Sequence, residues 1–157
     1  MVNYKNFKGW PHLTLSGFNC KGLGKKRLND LDFIYDFLYE LPEKIGMQRL
    51  GTPHVEKVSN KRHVDPGISG TVMIFTSHVA LHTFTKGQKN GLRKPRNVNH
   101  KIFTPFFTAD VYSCKEFDIE ETIAQFLNAF TPSIIEKHII YRLREDEDLV
   151  EVEPIHI

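Results

Sequence analysis

Long apolar runs are missing from this 157-residue chain. Without about eighteen consecutive apolar residues no segment reads as a membrane-spanning helix. The opening MVNYKNFKGW also lacks the apolar core of a secretory leader. These absences lead to the expectation of a cytoplasmic protein with no membrane partner. Cysteine is scarce as well. Cys20 and Cys114 stand far apart and form neither a CxxC pair nor a disulfide-rich framework, so each reads as a free thiol. Excess charge of one sign is lacking too. A net charge of +2 is too small to imply a nucleic-acid partner, because a phosphate footprint needs concentrated basic charge.

What is present is an apolar content of 40% with 12 phenylalanines, enough for a single core and therefore a single domain over residues 1–157. From His12 to Phe18 apolar Leu13 and Leu15 alternate with His12, Thr14 and Ser16, the period of a half-buried strand, and Gly17, Gly22 and Gly24 then interrupt it. Asn29 or Asp30 can cap a helix with the stripe Leu31, Ile34, Phe37, Leu38 and Leu41, ended by Pro42 and Gly46. A weaker strand spans 48–57, and a polar linker runs from Ser59 to Pro66. Two runs rich in Val, Ile, Phe and Thr follow, 70–77 and 78–84, and meet at Ser77.

Residues 86–101 hold Lys86, Lys89, Arg93, Lys94, Arg96 and Lys101 with no acid, together with Gly87, Gly91 and Pro95, which reads as a solvated basic loop. Aromatics do not interleave there, against an RNA-binding role. Strand character resumes over 106–114. Asp118 caps a second amphipathic helix through Ile119, Ile123, Phe126, Leu127 and Phe130, which Pro132 stops, and 137–143 reads as a last strand. The acidic tail 145–157 reads as a solvated end. The expected fold is α+β, a two-layer sandwich of a mostly antiparallel sheet with two helices on one face, its other face open to solvent or a partner.

Chemistry-bearing side chains gather in the strand segments: Ser69, Ser77, His78, His82 and Cys114. A serine hydrolase would favour a GxSxG elbow, whereas Ser77 is flanked by Thr76 and His78. His78 and His82 share a strand face but have no clear third ligand, so no metal is expected. Each residue also has a plain structural explanation. Ser77 can be a hydrogen-bonded strand serine, His82 a strand histidine, Cys114 a small buried hydrophobe and Ser69 a turn residue beside Gly70.

GISG at 67–70, followed six residues later by SHVALHT at 77–83, resembles the self-cleavage motif of the S-adenosylmethionine decarboxylase family. PHLTLSGFNC (11–20), Leu28-Asn29-Asp30 and ADVYSC (109–114) resemble further family segments in the same order, so the resemblance covers most of the chain. It implies a proenzyme cut between Thr76 and Ser77, with Ser77 attacking the Thr76 carbonyl and becoming a pyruvoyl group. That self-derived cofactor would form a Schiff base with the substrate amine and withdraw electrons as carbon dioxide leaves. The resemblance also implies that His82 removes the α-proton during elimination, that Cys114 is the general acid toward the substrate carbon, and that Ser69 assists processing. The implied activity is a carboxy-lyase acting on S-adenosylmethionine for spermidine biosynthesis. The implied partners are that small-molecule substrate and a second cleaved copy, in a homodimer with its pocket near the interface.

Two positions depart from the family pattern. Thr76 stands where glutamate usually precedes the cleaved serine, and its β-branch crowds the acyl shift. Lys86 stands where a glutamate usually holds the ribose hydroxyls, and a lysine cannot accept those hydrogen bonds. The alternatives are a pyruvoyl-dependent ornithine or arginine decarboxylase, motivated by Lys86, and an uncleaved binding or regulatory subunit, motivated by Thr76. Ser77 and His82 stand five positions apart, which puts them on opposite faces of a straight strand, so a bend or bulge is expected between them.

Overall fold

A computed structural model describes residues 9–58, 66–85, 105–142 and 150–156. The basic loop, with Lys86, and most of the polar linker lie outside the described residues. In chain order the elements are β1 (Trp10–Phe18), α1 (Gly22–Arg27), α2 (Leu31–Lys44), β2 (Arg49–Val58), β3 (Gly67–Ile74), β4 (Ser77–Phe84), β5 (Phe106–Ser113), α3 (Ile119–Phe130), β6 (Ile134–Arg142) and β7 (Val150–His156). The strands form one seven-stranded sheet in the order β2-β3-β4-β5-β1-β6-β7, with every neighbouring pair antiparallel. The α+β sandwich expected from the sequence is therefore the fold observed. Among the described residues no helix is long and apolar enough to cross a membrane.

Strand alternation decides which face is covered. Val72, Val79, Val111, Leu13 and Ile139 lie in register across β3, β4, β5, β1 and β6. All five are buried against Ile34, Leu38 and Leu41 of α2 and Ile123, Phe126 and Phe130 of α3. Phe37 of α2 meets Phe126 and Phe130 edge-on at 5.1 and 5.3 Å between ring centroids, which locks the two helices together over the sheet. The helices start where the sequence places them. Asp30 accepts a hydrogen bond from Phe33 N–H at 3.0 Å, and Asp118 accepts one from Glu121 N–H at 2.9 Å.

The two glycines of GISG are explained by space. A Cβ on Gly67 would lie 1.7 Å from the Thr83 carbonyl oxygen, and one on Gly70 would lie 2.6 Å from Leu38 Cδ1. Thr83 itself is buried; its hydroxyl accepts from Ile68 N–H at 2.9 Å and donates to the Leu28 carbonyl at 2.7 Å. The motif thus fixes the β3–β4 hairpin against the helical layer.

Four features differ from the sequence reading. Helix α1 forms despite its two glycines, because Gly24 lets it press on the Phe130 carbonyl and Arg27 donates to the Asn128 and Ala129 carbonyls at the end of α3. Helix α2 runs through Pro42 to Lys44. Residues 150–156 of the acidic tail form edge strand β7 on β6, where Pro154 is tolerated because an edge strand leaves some N–H positions unpaired. The junction of β3 and β4 is a two-residue turn at Phe75 and Thr76, with Ile74 and Ser77 paired across it. The bend or bulge expected between Ser77 and His82 is absent: β4 pairs without a register shift from Ser77 to Phe84, so Ser77 shares the parity of buried Val79 and Leu81 while His82 lies on the opposite, open face.

Candidate active site

The uncovered sheet face carries the polar half of each strand's alternation. Ser69 of β3, His78 and His82 of β4, Asp110 and Tyr112 of β5, and His12 of β1 all sit on it by register. Two groups form along β4, at its opposite ends: the first reaches round the hairpin tip to the covered-face positions Ser77 and Ser113, and the second lies on the open face.

The first group surrounds the turn. The N–H of Cys114, just past the end of β5, donates to the carbonyl oxygen of Thr76 at 3.1 Å. The Thr76 hydroxyl shares a 3.0 Å hydrogen bond with Ser113 Oγ, which is buried and also accepts from Lys115 N–H at 2.9 Å. The carbonyl that precedes Ser77 is thus held and polarised by a main-chain donor, the arrangement that stabilises negative charge developing on an acyl oxygen. Ser77 opens β4, and its Oγ lies 3.2 Å from His78 Nδ1. Cys114 is exposed, and its Sγ contacts the Tyr112 hydroxyl at 3.7 Å. That contact, followed by desolvation, raises the Tyr112 pKa above its usual value, so the phenol stays neutral around pH 7. Cys20 is the opposite case: buried, with its thiol pushed from 9.0 to about 12 by desolvation, it is packing rather than chemistry.

A carboxylate underlies this group. Asp110 Oδ2 lies 2.7 Å from His12 Nε2, and Asp110 Oδ1 lies 3.4 Å from His78 Nε2. Arg142 stacks its guanidinium 3.3 Å from the Tyr112 ring centroid and places Nη2 3.2 Å from His12 Nδ1. The Tyr112 ring touches both imidazoles, at 5.4 Å from His12 and 6.2 Å from His78 between centroids. Among the described residues no group of three or more His, Cys, Asp or Glu is placed to hold a metal ion.

The second group is the cross-strand pair Ser69 and His82, joined through Ser69 Oγ and His82 Nδ1 at 3.0 Å. The structure thus brings Ser77 and Cys114 to one end and Ser69 and His82 to the other. Five residues of extended strand separate the two ends, on the order of 16 Å. Asp110, Tyr112, His12 and Arg142 carry polar contacts that the sequence reading did not assign. His12 falls in the alternation from His12 to Phe18, and Asp110 and Tyr112 fall in the ADVYSC segment; neither stretch reveals which strands are neighbours.

The geometry defines an α+β sandwich with a polar open face and a Thr76 carbonyl held at a hairpin tip; comparisons with known proteins give its fold and family. A family model described as S-adenosylmethionine decarboxylase matches residues 11–143. The chain is 28% identical over 113 residues to the S-adenosylmethionine decarboxylase proenzyme of Geobacillus kaustophilus (strain HTA426), covering 70% of this chain and 73% of that protein. Its fold resembles the crystal structure of the adenosylmethionine decarboxylase from Aquifex aeolicus VF5, with a TM-score of 0.59 at 14% identity over 90% of this chain and 98% of the other. The chain belongs to the S-adenosylmethionine decarboxylase family.

Proposed function

We propose that this family member is a self-processing, pyruvoyl-dependent carboxy-lyase acting on S-adenosylmethionine, with Ser77 as the residue that becomes the cofactor. The observation that carries this reading is the Thr76 carbonyl, which accepts from Cys114 N–H at the tip of a hairpin whose next residue is Ser77. A cut there leaves β3 paired to β2 and β4 paired to β5, so both fragments remain in the sheet and the surroundings fit a modified residue 77. When formed, a pyruvoyl group at that position supplies an electron sink for the carboxylate that leaves.

The chain's own residues supply the rest. The Cys114 thiol stands at the same end as residue 77 and is the proton donor to the substrate carbon, with the neutral Tyr112 phenol against it. His82, held by Ser69, is the base for the α-proton of residue 77 during elimination. In one chain these two groups are on the order of 16 Å apart, so we place the second group on a second copy. A two-fold pairing of open faces sets the Ser69–His82 end of one subunit over the Ser77–Cys114 end of the other, giving two equal sites per homodimer. Leu50, Met73 and Phe75, exposed at 48%, 54% and 62% beside the Ser77 end, are apolar surface that such a partner would cover. An exposed free thiol at Cys114 fits a reducing, cytoplasmic setting. The product would feed aminopropyl transfer in spermidine biosynthesis.

The test is carbon dioxide release by the purified protein from carboxyl-labelled S-adenosylmethionine, ornithine and arginine, each supplied separately. Release from S-adenosylmethionine alone supports the assignment. Release only from an amino acid would move the substrate to the alternative prompted by Lys86, and release from none would favour a non-catalytic subunit.

A further inference from the structure

We infer that His78 is the general base for self-cleavage, taking the Ser77 hydroxyl proton, and that Asp110 is the positioning residue that aims it. This rests on the self-processing reading above and names a residue for its first step. Ser77 Oγ lies 3.2 Å from His78 Nδ1, and His78 Nε2 lies 3.4 Å from Asp110 Oδ1. That is the order nucleophile, imidazole, carboxylate by which hydroxyl nucleophiles are activated elsewhere.

Hydrogen bonds place the proton of His12, and a carboxylate contact favours one placement for His78. Arg142 can only donate, so His12 Nδ1, 3.2 Å from Arg142 Nη2, is an acceptor. His12 therefore carries its proton on Nε2 and donates to Asp110 Oδ2 at 2.7 Å. The other carboxylate oxygen faces His78 Nε2, and an ionised carboxylate only accepts. With the proton on Nε2, the placement that a facing carboxylate favours, Nδ1 keeps a free lone pair toward the Ser77 hydroxyl 3.2 Å away. The Tyr112 ring lies against both imidazoles and holds them in this arrangement.

The step balances without any added reagent. As Ser77 Oγ bonds to the Thr76 carbonyl carbon, its proton passes to His78 Nδ1, and the carbonyl π electrons move to the Thr76 oxygen, which Cys114 N–H stabilises. Collapse re-forms the carbonyl and breaks the Thr76–Ser77 C–N bond, and His78 returns the proton to the departing Ser77 nitrogen. The result is an ester between residues 76 and 77, with His78 restored for another transfer. His82 has no part in this step; it acts on the α-proton afterwards. Sequence spacing concealed His78 as a base, because its partner Asp110 is brought beside it only by the pairing of β4 with β5.

The experiment follows cell-free synthesised full-length chain over time by intact mass, with and without hydroxylamine, which cuts the ester but not the peptide. General-base removal costs about 10²–10⁴ in rate, so His78→Ala and the isosteric His78→Gln should both cut at least about a hundredfold more slowly. Neither should accumulate a hydroxylamine-sensitive species, and free imidazole should restore cutting in His78→Ala. Asp110→Asn should slow the same step while keeping the melting temperature of the uncut Ser77→Ala control. Cutting of both His78 variants at the wild-type rate, or accumulation of ester in them, would overturn the assignment while leaving the self-processing reading intact. A wild-type chain that neither cuts nor yields to hydroxylamine would overturn both together.

Discussion

Cys114 and Thr76 are joined main chain to main chain, the N–H of the first donating to the carbonyl oxygen of the second at 3.1 Å. This separates two roles of one residue. The backbone donor serves cleavage, and the thiol serves turnover. Cys114→Ala keeps the donor and should still be cut between Thr76 and Ser77. Its decarboxylation should fall by about a hundredfold or more, the usual cost of losing a general acid. Intact mass and carbon dioxide release on the same preparation check the split, and a variant that stays uncut would contradict it.

The separation of His82 from Ser77 along β4 makes a prediction about subunits. Ser77→Ala lacks a nucleophile, and His82→Ala lacks the base for elimination. Each alone should fail to give the mature fragments, the second stopping as a hydroxylamine-sensitive ester. In co-expressed mixed dimers the His82→Ala chain should be cut, using His82 from the Ser77→Ala subunit. Mass spectra that show no rescue in isolated mixed dimers would place the whole site within one chain.

Gly70 gives a packing prediction. A methyl group there would lie 2.6 Å from Leu38 Cδ1, so Gly70→Ala should destabilise by about 1–3 kcal/mol. Shortening the neighbour in the Gly70→Ala, Leu38→Ala double variant should make the two costs less than additive. Denaturant unfolding of uncut Ser77→Ala chains measures both. Phe126→Ala, which removes a fully buried ring between α3 and the sheet, should cost about 3–5 kcal/mol.

Cys20 gives a pH prediction. Its folded-state pKa is raised to about 12 from 9.0, so its contribution is fully present below pH 9 and is lost as pH rises toward 12. Above pH 9 the unfolded thiol ionises while the folded one stays protonated, and stability falls by up to about 1.4 kcal/mol per pH unit from this group. The stability difference between wild type and Cys20→Ala should therefore shrink between pH 8 and pH 11. Thiol labelling at pH 8 should modify Cys114 and spare Cys20 in the folded protein.

Much of the layer architecture is legible locally. The caps Asp30 and Asp118, the stripe Ile34, Leu38, Leu41 and the alternation in FFTADVYS each report a local periodicity that the tertiary structure keeps. Helix α1 is not legible, because Gly24 is selected by contact with Phe130 and the last turn is secured by Arg27 reaching α3. Strand β7 escapes for a similar reason: alternating Val150, Glu151, Val152 and Glu153 becomes a strand through the edge that β6 offers. At the site, Ser69, Ser77, His82 and Cys114 are named by the resemblance of their segments to the family's motifs. Their division into two ends could not be, since it follows from a turn at Phe75 and Thr76 in a run without Gly, Pro or Asn. The contact of Asp110 with His12 and His78 spans three strands and has no linear signature.

The central claim is that this chain cuts itself between Thr76 and Ser77. Intact-mass analysis of the purified protein tests it most directly. Two fragments are expected, one ending at Thr76 and one beginning with a pyruvoyl group in place of Ser77, together with an uncut Ser77→Ala control. A single full-length species that resists hydroxylamine would contradict it.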